Sequence, residues 1–183
     1  MAHFAELDAN NKVLRVVTVD NENVSADMAV DGEEWCANNI EEDASIPYVD
    51  GAYPGIRWKQ TSYNHNFRKR FAAIGGYFID EGDGYFTGVK QYDNWVLNTT
   101  DGAYYPPVDK PTDQNYTDGD NMYLRYIQWD QDNTRYICTK VIGNDTDGWQ
   151  RHNVNTGLDE TVESPTDDQK AVLVWNPDTS TWS

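Results

Sequence analysis

Alternating hydrophobic and polar positions mark the first twenty residues of the chain. A short strand-like segment covers 3–7, turn-forming residues fill 8–11, and the β-branched segment 12–19 alternates along its length. Two such runs separated by Asp and Asn are typical of a β-hairpin, because alternate side chains of a strand point to opposite faces. The pattern therefore predicts a hairpin over residues 2–20.

The alternation stops after this hairpin, and residues 21–43 predict one short helix. Two stretches carry the helical pattern, 23–29 and 31–40. Asp31 is the expected N-cap, since acidic residues follow it in the first turn. Prolines and glycines in 44–56 predict a loop, and no second helix is expected.

Pairs of aromatic residues bracket turn-rich centres in the rest of the chain. In a hairpin with an even-numbered loop, residues an odd number apart lie directly across the strands on one face. Each ring pair would add roughly 0.5–1 kcal/mol beyond simple burial. The pairs are Phe78 with Tyr85, Trp129 with Tyr136 and Trp175 with Trp182, seven apart, and Trp95 with Tyr104, nine apart.

The predicted fold class is mainly β, an α+β arrangement with one short N-terminal helix. Single hairpins are marginal in water, so these serial aromatic-clamped β-hairpins must pack on each other, on the N-terminal unit or on another protein, with a sandwich-like arrangement as one solution. Three prolines within 106–111 form a stiff connector. We therefore expect a β-rich domain over 1–108 and a β-hairpin extension over 109–183.

The formal net charge of −17 narrows the function classes. With 31 acidic and 14 basic residues, the chain should be repelled by nucleic-acid backbones and anionic membranes. Five of the basic residues lie in the segment 57–70, which has no acidic residue. These cations either pair with acidic groups of the same chain, contact an acidic neighbour or bind phosphate.

Several other classes of protein find little support. Cys36 and Cys138 form no CxxC motif, which predicts two buried reduced thiols rather than a zinc site or disulfide framework. The N-terminus has neither the basic region nor the apolar run of a signal peptide. No stretch of the sequence approaches the ~20 apolar residues of a membrane span. We expect a protein made and folded in a cytoplasm.

Signatures of catalysis and of metal binding are weak. There is no HExxH, GxSxG or Walker A motif. Glu6, Glu33 and Asp80 are candidates for a catalytic pair of carboxylates. In a chain with 31 acidic residues such a pair is expected by chance, so it carries no weight. Asp145 and Asp147 present oxygens at alternating positions, but without the full calcium loop we interpret them as turn residues. The expectation is a protein that is not an enzyme and has no cofactor.

Several blocks of the sequence resemble small virion structural proteins of marine and cyanobacterial tailed phages. The blocks are MAHFAELDANNKVLRVVTVDN (1–21), WC (35–36), WKQTSYN (58–64), FRKRFAAIGGY (67–77) and YDNWVL (92–97). The resemblance covers roughly the first 108 residues. Two features depart from it: the segment 40–56 is longer and more acidic than expected, and the rest of the chain has no counterpart.

The resemblance implies a non-enzymatic virion structural protein of a tailed phage. A capsid decoration or accessory protein, binding other virion proteins or further copies of itself, is the first hypothesis. A tail, fibre or baseplate component that binds host-surface carbohydrate is the alternative. The interface candidates are Trp58, Arg68, Lys69, Arg70, Trp175 and Trp182, although core positions are an equal or better interpretation for the aromatic ones.

Overall fold

The computed structural model describes residues 1–24 and 31–183, without the side chain of Asp31, and divides into two compact units. Unit 1 is Met1–Tyr105 and unit 2 is Pro106–Ser183, whereas the sequence suggested a division after residue 108. Both units consist mainly of antiparallel strands, so the mainly-β prediction is confirmed. The sandwich-like packing stays a prediction.

The described residues of unit 1 form seven strands and one α-helix. The strands are β1 (Ala2–Leu7), β2 (Val13–Val19), β3 (Arg57–Thr61), β4 (Phe78–Ile79), β5 (Tyr85–Phe86), β6 (Val96–Leu97) and β7 (Tyr104–Tyr105); a 3₁₀ turn covers Asn21–Asn23 and helix α1 covers Asp31–Asn39. β1 and β2 form the predicted N-terminal hairpin, with Asp8 accepting hydrogen bonds from two turn amides. The predicted Asp31 cap and most of the 23–29 helical stretch lie outside what is described.

Strand β1 is the centre of unit 1, and both its faces are buried. The sheet order is β2-β1-β3, all antiparallel. Ala5 and Leu7 pack with Val13, Ala72, Phe78 and Phe86 on one face; Ala2 and Phe4 pack with Val19, Cys36 and Trp58 on the other. Because Glu6 shares the face of Ala2 and Phe4, its carboxylate is buried on the side of the sheet that carries α1.

Unit 2 contains nine strands and a one-turn helix. They are β8 (Asn115–Asp118), β9 (Asn121–Leu124), β10 (Tyr126–Asp130), β11 (Arg135–Thr139), β12 (Ile142–Asn144), β13 (Gly148–Asn153), β14 (Leu158–Val162), β15 (Leu173–Asn176) and β16 (Thr181–Trp182), with α2 at Asp167–Lys170. Expecting no second helix was wrong. Thr166 and Gln169 form a capping box that supports this single turn.

The hairpins of unit 2 combine into two sheets through pairings distant in sequence. β10-β11 joins β15-β16 where Ile137 faces Val174. β8-β9 joins β12-β13 where Tyr123 faces Asn153, and β14 adds to β13. Each hairpin therefore gains the support that an isolated hairpin lacks.

The aromatic pairs are confirmed in two of four cases. Trp129 lies opposite Tyr136 and Trp175 opposite Trp182, with ring centroids 5.0 and 5.2 Å apart. The pairing of Phe78 with Tyr85 is wrong: Phe78 lies opposite Phe86, and their rings are 5.0 Å apart. The five-residue loop between Ile79 and Tyr85 is the reason, since an odd-numbered loop places residues an even number apart opposite each other.

The predicted pairing of Trp95 with Tyr104 is also wrong, and a further aromatic pair was not predicted. Trp95 lies before β6 and contacts Tyr92, while Tyr104 lies opposite Leu97. The missed pair is Tyr116 and Tyr123, again seven apart, whose stacked rings close the β8-β9 hairpin at 5.6 Å. Its signal was the two-residue loop Gly119-Asp120 between two aromatics.

Candidate functional site

The cations of the segment 57–70 are engaged mainly within the chain. Arg57 pairs with Asp80 at 2.6 Å, and both Lys59 and Arg68 pair with Glu33 at 2.9 Å. These geometries favour intrachain pairing over an open cationic surface. The opposite charges hold neighbouring elements of unit 1 together.

Glu33, in the first turn of α1, connects three elements. Its Oε2 accepts a hydrogen bond from Lys59 Nζ on β3; its Oε1 accepts one from the Gln60 amide at 2.8 Å and one from Arg68 Nη1. Arg68 Nη1 also donates to the Gln60 carbonyl at 2.6 Å. The Arg68 side chain is only 13% exposed, so the contact fixes the loop that follows β3.

Lys69 and Arg70 extend this anchoring to the next part of unit 1. Lys69 Nζ lies 3.5 Å from the centre of the Tyr85 ring and donates to the Thr99 carbonyl. The pKa of Asp101 is lowered mainly by hydrogen bonds from the Ala103 amide and the Tyr105 hydroxyl, with the charge of Arg70 as a smaller cause. Arg70 thus faces an acidic group of its own unit.

The loop 62–71 has a strained backbone. His65, Arg68 and Lys69 adopt positive φ angles of 56°, 56° and 59°, a region that residues other than glycine rarely occupy. Each such residue costs on the order of 1 kcal/mol unless its surroundings impose it. Two side-chain acceptors support the turn: Ser62 Oγ accepts from the Asn66 amide at 3.0 Å, and His65 Nδ1 from the Phe71 amide at 3.1 Å.

The loop 62–71 presents aromatic side chains to solvent. Tyr63 is 69% exposed and Phe67 is 41% exposed. The Tyr63 ring stacks on His3 at 5.9 Å and meets Phe71 edge-on at 5.7 Å, while Phe67 lines an open cavity of about 610 Å³. An imposed backbone with anchored cations and exposed rings is an arrangement suited to binding another macromolecule.

Trp58 lies in the core of unit 1 and is only 6% exposed. Trp58 on β3 and Arg15 on β2 lie on either side of Glu6 on β1, directly across the strands. Arg15 Nε donates to Glu6 at 2.6 Å, and its guanidinium lies 5.3 Å from the Trp58 ring. The Tyr53 hydroxyl also donates to Glu6, at 2.8 Å, so this buried carboxylate ties the loop 44–56 to the sheet.

The two tryptophans of β15 and β16 differ in exposure. Trp175 is 4% exposed and belongs to the interior of unit 2. Trp182 is half-buried, and its Nε1 donates to the Asp113 carbonyl at 2.8 Å. Both rings serve packing within unit 2, which leaves little of Trp175 for a partner.

The carboxylates considered for catalysis or metal binding have partners in their own units. Glu6, Glu33 and Asp80 each form ion pairs with the arginines or lysine described above. Asp145 accepts from Trp149 Nε1 at 2.9 Å, and Asp147 accepts from Asn144 at 2.8 Å. In residues 1–24 and 31–183, no three His, Cys, Asp or Glu side chains group as a metal site would require.

Both thiols are free and buried, as the sequence predicted. Burial is the main cause that raises the pKa of Cys36 to about 12 and that of Cys138 to about 11. Thiolates are therefore scarce at neutral pH, and neither cysteine has the character of a nucleophile. Among the described helices, none is long and apolar enough to cross a membrane.

The cations of the segment 57–70 were predicted as contact residues, whereas its exposed rings were not. Tyr63 and Phe67 flank the polar run of Asn64, His65 and Asn66, and polar neighbours of that kind signal a solvent-facing loop. The chain matches no known family model, no curated protein and no solved structure.

Proposed function

We propose that this chain is a non-enzymatic virion structural protein of a tailed phage, a capsid decoration or accessory protein that binds other virion proteins. The observation that carries the binding role is the loop 62–71, whose backbone is imposed by Glu33 while Tyr63 and Phe67 point to solvent. The sequence resemblance supplies the phage context.

The physical logic is preorganisation. A loop that is already ordered loses less conformational entropy on binding, so more of the contact energy appears as affinity. Aromatic side chains are enriched at protein interfaces because they bury a large area with few rotatable bonds. A net charge of −17 keeps such a protein soluble before assembly. Binding then requires a close apolar contact with the partner.

The test is incorporation into particles. Phages that encode Phe67→Ser and Tyr63→Ser together would be compared with the original and with a Leu158→Ser control, which changes a 65% exposed residue of unit 2. Quantitative mass spectrometry of purified particles should show hundreds of copies, with a loss of at least about tenfold for the double variant alone. Equal incorporation of all three would refute the loop as the contact.

The copy number also separates the two locations within a particle. Hundreds of copies identify a capsid protein, whereas a dozen or fewer identify a tail, fibre or baseplate component. Absence from purified particles would overturn the proposed function altogether.

A further inference from the structure

An open groove of about 540 Å³ in unit 2 follows the edge of a strand. Alternate side chains of a strand point to opposite faces, so a cavity on one face would touch every second residue. Six consecutive residues, 124–129, line this groove. It therefore runs along the edge of β10 and the residues leading into it.

Strand β10 lies at the outside of its sheet. In the order β10-β11-β15-β16, the described part of the chain pairs β10 with β11 alone. Alternate residues of an outer strand direct N–H and C=O groups away from the neighbouring strand, which makes the edge a template for another strand. Proteins usually protect such an edge with charges or proline, yet β10 carries no proline and its one charge, Asp130, stands at its last residue.

The charge of the groove is opposite to that of unit 2. Unit 2 holds fourteen acidic and six basic residues, but the lining includes Lys110 and Arg125 and no carboxylate. Arg125 Nε donates to the Asn115 carbonyl at 3.1 Å and Nη2 to Asp113 at 3.3 Å. The lining of the groove therefore favours a ligand with negative charge.

Part of the Arg125 guanidinium is buried in unit 2. Its Nη1 has no hydrogen-bond partner within the described structure apart from the thiol of Cys138, a weak acceptor that lies beside the guanidinium. A ligand in the groove would therefore meet the charge of Arg125 rather than this buried donor.

We propose that this groove binds an extended acidic segment of a partner protein, which adds to β10 as an antiparallel or parallel strand. Backbone hydrogen bonds to the edge would supply affinity, and the exposed Leu124 and Ile142 would contact alternate apolar side chains of the segment. Lys110 would receive its carboxylates, and the charge of Arg125, which already pairs with Asp113, would add a weaker attraction. The inference rests on the proposed function only in that the partner is a protein, and it concerns a different unit.

The first experiment measures binding of a defined peptide to the full chain. A fluorescein-labelled ten-residue peptide of alternating valine and threonine, ending in two glutamates, is titrated at low salt and followed by fluorescence anisotropy. Two further peptides carry N-methyl groups on opposite sets of alternate residues. Strand addition predicts that one methylated peptide binds and the other does not, because only one set of amides faces β10.

The second experiment compares two charge reversals of equal size. Lys110→Glu should weaken binding at least about threefold at low salt, since it converts one attraction into a repulsion. Lys90→Glu, a matched change at an exposed lysine of unit 1, should leave the affinity unchanged. A peptide with lysines in place of the glutamates should bind more weakly than the original.

Hydrogen exchange identifies the site and the class of occupant. The peptide should slow exchange of amides in 126–130 and leave those of β13 unaffected. Three results would each overturn the inference. The first is equal binding of both methylated peptides in anisotropy, which excludes strand addition. The other two are protection of β10 by neutral glucose oligomers, or by dimerisation of the chain, in place of the peptide. Incorporation into particles measures the loop 62–71 separately, so the two proposals fail independently.

Discussion

Replacing Glu33 by Gln tests whether one carboxylate imposes the loop 62–71. Gln keeps the size of the side chain and one acceptor oxygen, but removes the charge that Lys59 and Arg68 share. Arg68 would then be a largely buried guanidinium without its counterion. The same change weakens the acidic first turn of α1.

The magnitude follows from the exposure of the partners. Breaking a fully buried ion pair costs about 3–5 kcal/mol and an exposed pair about 0.2–1 kcal/mol. Glu33 and Arg68 lie nearer the buried limit, so we expect a loss of about 2 kcal/mol in the free energy of unfolding of unit 1. Asp80→Asn is the matched control, because Asp80 pairs with Arg57 in a more exposed position and should cost at most about 0.5–1 kcal/mol.

The assay is urea unfolding, since a neutral denaturant does not screen ion pairs. Hydrogen exchange of 62–71 in native buffer provides the second measurement, and the Glu33→Gln variant should lose protection there first. If Glu33→Gln cost no more than Asp80→Asn and left the exchange of the loop unchanged, the argument that Glu33 imposes the loop would be refuted.

Three more predictions address groups elsewhere in the chain. Cys36 and Cys138 should react with a thiol reagent at pH 8 far more slowly than free cysteine, and at the ordinary rate in urea, because burial raises the pKa of both thiols. The pKa of Glu160 is lowered, mainly by the hydrogen bond from Asn153. The ionised carboxylate therefore stabilises the fold above its ordinary pKa, and this contribution is lost as the pH falls through the lowered pKa. In the Glu160→Gln variant, the free energy of unfolding in urea should depend less on pH below about 4.5. Gly55→Ala should lower the stability of unit 1 by about 1–3 kcal/mol in urea, since the added Cβ would collide with Glu6, and an unchanged midpoint would contradict that packing.

Loop length explains which aromatic pairs were predictable. Hairpins with four-residue loops, such as those of Trp129 and Trp175, place residues seven apart opposite each other, as counting along the chain suggests. The loop after Ile79 has five residues, and the residue opposite Tyr104 is Leu97, two positions after Trp95. Register depends on turn geometry, which spacing alone does not reveal.

Local patterns of this sequence determined the N-terminal hairpin, the mainly-β composition and the burial of both cysteines. These properties depend on neighbouring residues or on composition, and therefore remain visible along the chain. Tertiary structure alone decided that Glu33 meets Lys59 and Arg68, that Tyr123 joins two hairpins at Asn153, and that β10 is left at an edge. Such contacts join residues far apart in sequence, and when acidic groups are abundant only the folded backbone selects which carboxylate each cation meets.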